Sequence, residues 1–391
     1  MNRVYLDYAS ATPVLPEVRQ AVAAALEAVG NPSSIHGEGR SARQLLEQAR
    51  GQVAALIHAK PSEIFFTSCG TESNNWAIRG LLAANKRKGN HLIISAIEHP
   101  SISLAARRLE LDSSITVTTL PVGAAGWISP NSLKTVITPE TVLVSIMLAN
   151  GEVGTIEPIQ ELAAVAHEHG ALFHTDAVAA VGHVPVDVRS LGVDALSLAA
   201  NQFYGPPGAA ALFVREGTRI LPLLEGGGQE HGGRSGTEAL PAIIGMGVAA
   251  ELMNDRSPGT GPAATHLSVL RDRLREGLTA RIEGIRFNGS WTARLPHNLH
   301  VCVDGLASES LVLELDQAGI AVGLGSACNS KAMRPSHVLK AMGLSDEEAQ
   351  GALVLTVGVP TTDDEIDRAL EMIPTVVQRL RRVTALTSRA S

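Results

Sequence analysis

The chain has 391 residues, 45% of them hydrophobic, and 32 Lys plus Arg against 39 Asp plus Glu give a formal net charge of −7. That balance, with no long basic run, excludes a general nucleic-acid or membrane-surface binder, and no apolar run is long enough to span a bilayer. Three cysteines, Cys69, Cys302 and Cys328, are too few for a disulfide framework and form neither a CxxC pair nor a zinc-ligand spacing, so no metal site is expected from them.

The first residues, Met1-Asn2-Arg3-Val4-Tyr5-Leu6, enter a strand-like pattern without the apolar core of a signal peptide, which predicts a cytoplasmic protein. Apolar runs at 64–67, 92–95, 142–147, 171–174, 195–198 and 209–214 predict short buried strands. Helical periodicity at 71–85, 102–111 and 159–169 lies between them. This βαβ rhythm predicts an α/β fold with a mostly parallel sheet and helices on both faces. The turn-rich stretch 255–262 is the best boundary in the chain. Beyond it come a long amphipathic helix at 263–281, a strand at 298–303 and a closing helix at 363–382. The expected division is an N-terminal arm over 1–15, a large α/β domain over 16–256 and a smaller α+β domain over 257–391.

Ligands of open α/β sheets bind at the carboxyl ends of the strands. The clusters that fall there are 68–71, Glu98-His99, 150–152, Asp176-Ala177 and 200–205. Gly70-Thr71 follows a strand and opens a helix, where free backbone N–H groups favour a phosphate. Cys302 alternates within an apolar run and reads as core. Cys69 stands in the phosphate turn itself and is expected to line the pocket.

Several longer motifs occur together. They are Leu6-Asp7-Tyr8-Ala9, Gly30-Asn31-Pro32-Ser33-Ser34-Ile35-His36, Thr71-Glu72-Ser73-Asn74-Asn75 and Glu98-His99-Pro100. His174-Thr175-Asp176-Ala177-Val178, Arg234-Ser235-Gly236-Thr237-Glu238 and Gly325-Ser326-Ala327-Cys328 follow. Over essentially its full length the chain resembles the NifS/IscS-type cysteine desulfurases of the class V aminotransferase family. The resemblance implies a fold type I architecture with a seven-stranded-type sheet, a homodimer and a pyridoxal-phosphate (PLP) pocket. It implies that Gly70 and Thr71 meet the phosphate, that His99 stacks on the pyridine ring and shuttles a proton, and that Asp176 keeps the ring nitrogen protonated. Asn150 would lie beside the ring, and Thr237 would reach the partner subunit's phosphate. Cys328 would be the thiol that receives sulfur as a persulfide, on a loop whose glycines and small polar residues suit a mobile nucleophile.

The chain departs from the family's pattern around that same pocket. The family's Ser-x-His-Lys reads Ala199-Ala200-Asn201-Gln202, so Gln202 stands where the Schiff-base lysine would be. A carboxamide nitrogen is delocalised into its carbonyl and cannot form that imine. Gly151 and Ala179 replace two side-chain amides near the ring. Val354 stands at the arginine that would clamp the substrate carboxylate, a contact whose removal costs about 2–5 kcal/mol. Lys331, three residues beyond Cys328, reads as a solvated loop charge rather than a relocated amine.

These departures lead to the expectation of a homodimeric, desulfurase-like protein without covalent PLP, and with PLP of any kind disfavoured. Cys328 would relay sulfur to an acceptor or scaffold protein, or supply one ligand to an iron–sulfur cluster. Two readings stay open beside it: an active cysteine desulfurase with non-covalent PLP, and a remodelled pocket for another small ligand.

Overall fold

The computed structural model describes residues 3–256, 261–325 and 335–387. Its strands in chain order are β1 (Val4–Leu6), β2 (Ile64–Thr67), β3 (His91–Ser95), β4 (Thr116–Leu120), β5 (Thr141–Ser145), β6 (Leu172–Asp176), β7 (Ala195–Ala199), β8 (Ala210–Val214), β9 (Ile285–Asn288), β10 (Asn298–Val303), β11 (Ile320–Val322) and β12 (Ala352–Thr356). Seven of them form the central sheet in the order β2-β8-β7-β6-β5-β3-β4.

The pairs among β4, β3, β5, β6 and β7 are all parallel. β8 runs antiparallel to both β7 and β2. The short link 200–209 explains the reversal, because a parallel crossover needs a dozen or more residues and this one folds back as a tight turn. β3, β5, β7 and β8 are buried along their whole length, so they read as continuous apolar runs rather than alternating ones. The expected α/β, fold type I architecture with its mainly parallel sheet is what the chain adopts.

Two features were not legible. β4, at the sheet edge, is the threonine-rich Thr-Val-Thr-Thr-Leu with one buried residue, so it carries no apolar run. The helix Leu240–Asp255 is apolar on most faces and packs against the long helices Pro16–Glu27 and Gly37–Leu56, which erases the periodicity that marks a surface helix.

The other strands form a three-stranded antiparallel sheet, β12-β10-β9, and a parallel pair, β1-β11. Isolated bridges Asp7↔Thr356 and Gly323↔Val354 join the two. Leu270, Leu274, Leu355, Ile366 and Ile373 pack in a separate apolar core beneath them. Among the described residues no helix is long and apolar enough to cross a membrane.

In the central sheet β3 has β4 on one side and β5 on the other, so the chain reverses direction of travel there. The loops after β3 and β5 therefore diverge and leave a crevice between them. His99 follows β3, Asn150 follows β5, Asp176 ends β6 and Ala199 ends β7.

Candidate active site

A cavity of about 510 Å³ opens at these strand ends. The N-terminus of the helix Gly70–Ala84 forms one wall. Its N-cap, Cys69, makes no side-chain cap, so the first-turn N–H groups are not closed off by the residue before them. A Cβ at Gly70 would lie 2.8 Å from Val178 Cγ2, so only glycine lets the backbone approach the wall this closely. A bare amide turn at a helix N-terminus is an anion cradle.

Asn74 is one turn further along that helix and turns its side chain toward the sheet. Its Nδ2 donates to Asp176 Oδ2 at 2.6 Å and to Ser101 Oγ at 2.9 Å, while Oδ1 has no partner among the described residues. Asp176 is 6% exposed, and its Oδ1 accepts from the Val178 amide at 2.9 Å. Burial raises its pKa against the lowering from these two hydrogen bonds and from nearby His99. Such a carboxylate, short of compensating positive charge, is suited to a cationic N–H.

His99 caps the helix Pro100–Asp112 by accepting at Nδ1 from the Ser101 amide at 3.1 Å, with Ser101 Oγ at 2.7 Å. The cap leaves the proton of the neutral ring on Nε2. Its neighbour Glu98 is fully buried and accepts the Met147 amide at 2.9 Å through Oε1, while Oε2 has no partner among the described residues. Burial pushes its pKa well above the usual carboxylate range, and the charges of Asp176 and Glu157 push the same way.

Asn150 lines the cavity, but its amide is committed to its own turn. Oδ1 accepts from the Glu152 and Val153 amides at 3.0 and 2.9 Å, and Nδ2 donates to the Ile97 carbonyl at 3.1 Å. Gln202, on the tight turn after β7, is also engaged: its Nε2 donates to the carbonyls of Ala9 (3.1 Å) and Ser10 (3.3 Å). It fastens the segment after β1 over this edge of the cavity. The Gln202 backbone carbonyl meets His183 Nε2 at 2.9 Å, and the His183 ring lies 3.9 Å from that of His297. Burial drives His183 down to about 4, so that ring is neutral.

Across the cavity lie Gly323, Leu324, Gly325 and Val354. A Cβ at Gly323 would be 2.6 Å from Asp7 Oδ1 and 3.2 Å from Val354 Cβ, and one at Gly325 would be 2.5 Å from Glu152 Oε1. Asp7 and Glu152 thus flank the same short stretch of chain. Burial pushes Glu152 up to about 8, against a hydrogen bond from Ser336. Its Oε1 is 3.7 Å from His300 Nε2, but His300 is itself driven down to about 3 by burial and carries no charge at neutral pH.

Of the residues singled out from sequence, Gly70, Thr71, His99, Asn150, Asp176 and Gln202 all meet at this one cavity, with Cys69 beside them. Thr237 does not: it is exposed, in the loop before the helix Leu240–Asp255. Cys328 and Lys331 lie outside the described residues. Cys302 is buried, as its alternation implied, and Asn288 Nδ2 lies 3.2 Å from its Sγ. Burial pushes that thiol up to about 11, which keeps it protonated and unreactive. No individual role was expected of Asn74, Glu98, Glu152 or Asp7, although Glu98 and Glu152 fall in the strand-end clusters and Asp7 and Asn74 in the longer motifs.

The residues present fit PLP. The amide cradle at Gly70-Thr71 suits its phosphate, and the buried Asp176 carboxylate suits its protonated ring nitrogen. No lysine is among the described residues that line the cavity.

Residues 4–368 match the family model described as aminotransferase class-V. The chain is 44% identical over 387 residues to "Cysteine desulfurase IscS" of Methanosarcina thermophila, covering 99% of this chain and 95% of that one. It is 43% identical over 390 residues to the protein of the same name from Clostridium botulinum, covering 99% and 97%. Among solved structures, a "NifS-like protein" superposes with a TM-score of 0.90 at 34% identity, covering 97% of this chain and all of that one. These matches overturn the expectation that the chain works without PLP, since they run over nearly its whole length and the relatives are cysteine desulfurases, a PLP-dependent group. The physical reason is that losing one amine removes a covalent tether, while the phosphate cradle and the buried carboxylate that hold the ring do not depend on it.

Proposed function

The chain belongs to the class-V aminotransferase family, in its cysteine desulfurase group, and from that premise we propose that it is a PLP-dependent desulfurase that binds its cofactor non-covalently. The observation that carries this reading is Asp176, buried at the end of β6 with both oxygens held by Val178 and Asn74 and with its pKa raised. A structural carboxylate in that setting would be a liability without a cation to meet it.

When bound, PLP supplies an electron sink that weakens bonds around the substrate carbon bearing the amine. The chain's own residues do the rest. The Gly70 and Thr71 amides hold the phosphate, and Asp176 holds the ring nitrogen in its protonated form. Asn74 orients Asp176 and links it through Ser101 to His99. His99, protonated at Nε2 when neutral, gives or takes a proton at the substrate. Gln202 offers no amine and instead holds the segment 9–10 against the site. The Cys328 thiolate would attack the substrate sulfur, the S–S bond of the persulfide forming as the substrate carbon–sulfur bond breaks with its electron pair left on carbon. It would then pass that sulfur to an acceptor protein, and Thr237 would complete the phosphate site of the other subunit in a homodimer. The full-length likeness to desulfurases favours this reading over that of an accessory protein without PLP chemistry.

The test is PLP-dependent release of sulfide by the pure full-length protein, with dithiothreitol to discharge the persulfide. Cysteine and carboxylate-free aminothiols are offered over a wide concentration range. Release that requires added PLP and is lost in Asp176→Ala is expected. No PLP-dependent release from any of these donors would sink the reading.

A further inference from the structure

The anion cradle at Gly70-Thr71 has a carboxylate at its mouth. Glu72 is the third residue of the helix Gly70–Ala84, and its side chain folds back over the helix N-terminus. There its Oε2 accepts from the Ser68 amide at 3.0 Å and from the Ser68 hydroxyl. A negative charge thus stands within one turn of the amides that suit a phosphate, and like charges repel at that range. Arg234 offsets it. Its Nε donates to Glu72 Oε1 at 2.8 Å and its Nη2 to Oε2 at 3.3 Å, and both side chains are largely buried. Burial raises the Glu72 pKa, but the bonds from Arg234 and Ser68 outweigh it and leave the value below the ordinary one, so the carboxyl is ionised. The bond to Glu72 in turn raises the pKa of Arg234 and keeps it charged.

The arginine is delivered from a fixed base. Glu230 and His231, just before it, both take left-handed backbone with φ of 47° and 55°, which residues other than glycine hold only where their surroundings impose it. A buried ion pair imposes it here. The Glu230 carboxylate accepts from Arg50 Nη1 and Nη2 at 2.7 and 2.8 Å and from the Phe66 amide at 2.7 Å. Phe66 belongs to β2, the strand that leads into the cradle, and Arg50 also donates to the Ile64 carbonyl of that strand at 2.8 Å. Turn and cradle are therefore fastened to one strand without the help of Glu72. Neither Glu72 nor Arg234 is among the residues that line the cavity.

We propose that Glu72 and Arg234 are a positioning pair for the phosphate cradle: the arginine cancels the carboxylate at its mouth, and the balance of the two charges sets the affinity for the phosphate. The proposal rests on the reading of Gly70-Thr71 as the phosphate site and adds what tunes it.

The test is a ladder of charge on the full-length protein, with PLP binding followed by absorbance and inorganic phosphate binding by phosphorus NMR. Arg234→Met bares the carboxylate and is expected to weaken both ligands about fivefold. Glu72→Gln keeps the acceptor for Ser68 but frees the arginine, and is expected to tighten both about twofold or more. The double variant is expected to return to within about twofold of the unaltered protein, and Arg234→Lys, which keeps the charge, to stay as close. A pair that only braces the fold would weaken binding in every variant. That result, or an Arg234→Met protein with unchanged affinity, would overturn the proposal. If Arg234→Met does not fold, Glu72→Gln decides alone: tighter binding supports the pair and weaker binding overturns it. Failure of PLP to bind while inorganic phosphate follows this order would overturn the cofactor reading alone.

Discussion

The two ends of the cavity are built on different principles. At the end formed by β6 and the helix Gly70–Ala84, one hydrogen-bonded chain runs from Asp176 through Asn74 and Ser101 to His99. Each group there is oriented by its neighbour, and the whole is braced by a glycine turn that tolerates no side chain. At the end formed by residues 323–325, an unpartnered Glu152 oxygen and the half-buried Asp7 stand beside an apolar Val354, with no described cation among them. The first end is organised for one shape and one charge pattern. The second presents no lysine or arginine among the described residues that line it. Cofactor retention and substrate choice are therefore separable in this chain, and mutations should affect them independently.

The largest effect should come at the organised end. Asp176→Ala strips the Val178 amide and Asn74 Nδ2 of their acceptor and removes the partner for the ring nitrogen. PLP affinity should fall roughly thirtyfold or more, equivalent to about 2–5 kcal/mol, in an absorbance titration. An unchanged affinity would mean that Asp176 only closes a turn. Next in size is Gly70→Ala. Its Cβ would come within 2.8 Å of Val178 Cγ2, so denaturant unfolding should show a loss of about 1–3 kcal/mol together with weaker phosphate binding. Stability loss without any change in phosphate binding would remove the cradle from the account.

The smallest effect lies at the other end and is set by pH. Glu152 has an ordinary pKa of 4.5 and a folded value of about 8, so the folded state holds the extra proton between those values. Stability from this group is present below pH 4.5 and is lost as pH rises through about 8. The groups around it, His300 and Cys302, stay uncharged over that range. Glu152→Gln, which cannot ionise, should thus gain stability relative to the unaltered protein as pH rises from about 5 to about 8, by on the order of 1–3 kcal/mol. A difference that does not change with pH would show Glu152 to be ionised throughout.

The same contrast governs how much could be read from the chain. Strands buried on both faces, such as 195–199 and 210–214, announced themselves as apolar runs. The edge strand 116–120 did not, because solvent accepts its threonines. Glycine, histidine and aspartate at strand ends marked the organised end of the cavity, since there the residue type is tied to the local turn. Gln202 could be recognised as a missing amine, but its bonds to the carbonyls of Ala9 and Ser10 join residues far apart in the chain and had no local signature. Glu152 was likewise opaque. Its proton depends on burial by β10 and the 323–325 stretch, which lie well over a hundred residues away in sequence. The mistaken expectation of a chain without PLP came from taking the replaced side chains together as a dismantled pocket, when the cradle and the carboxylate that remain are enough to define a site.

The most direct measurement is borohydride treatment of the PLP-saturated protein followed by intact mass and dialysis, with Gln202→Lys alongside. The account predicts saturable PLP binding to the unaltered protein, release on dialysis and no mass increase after reduction. In Gln202→Lys, a reduced adduct of one PLP per chain is expected, with little gain in turnover of L-cysteine because Val354 remains. Failure to bind PLP, or a reduced adduct on a lysine of the unaltered protein such as Lys331, would contradict it.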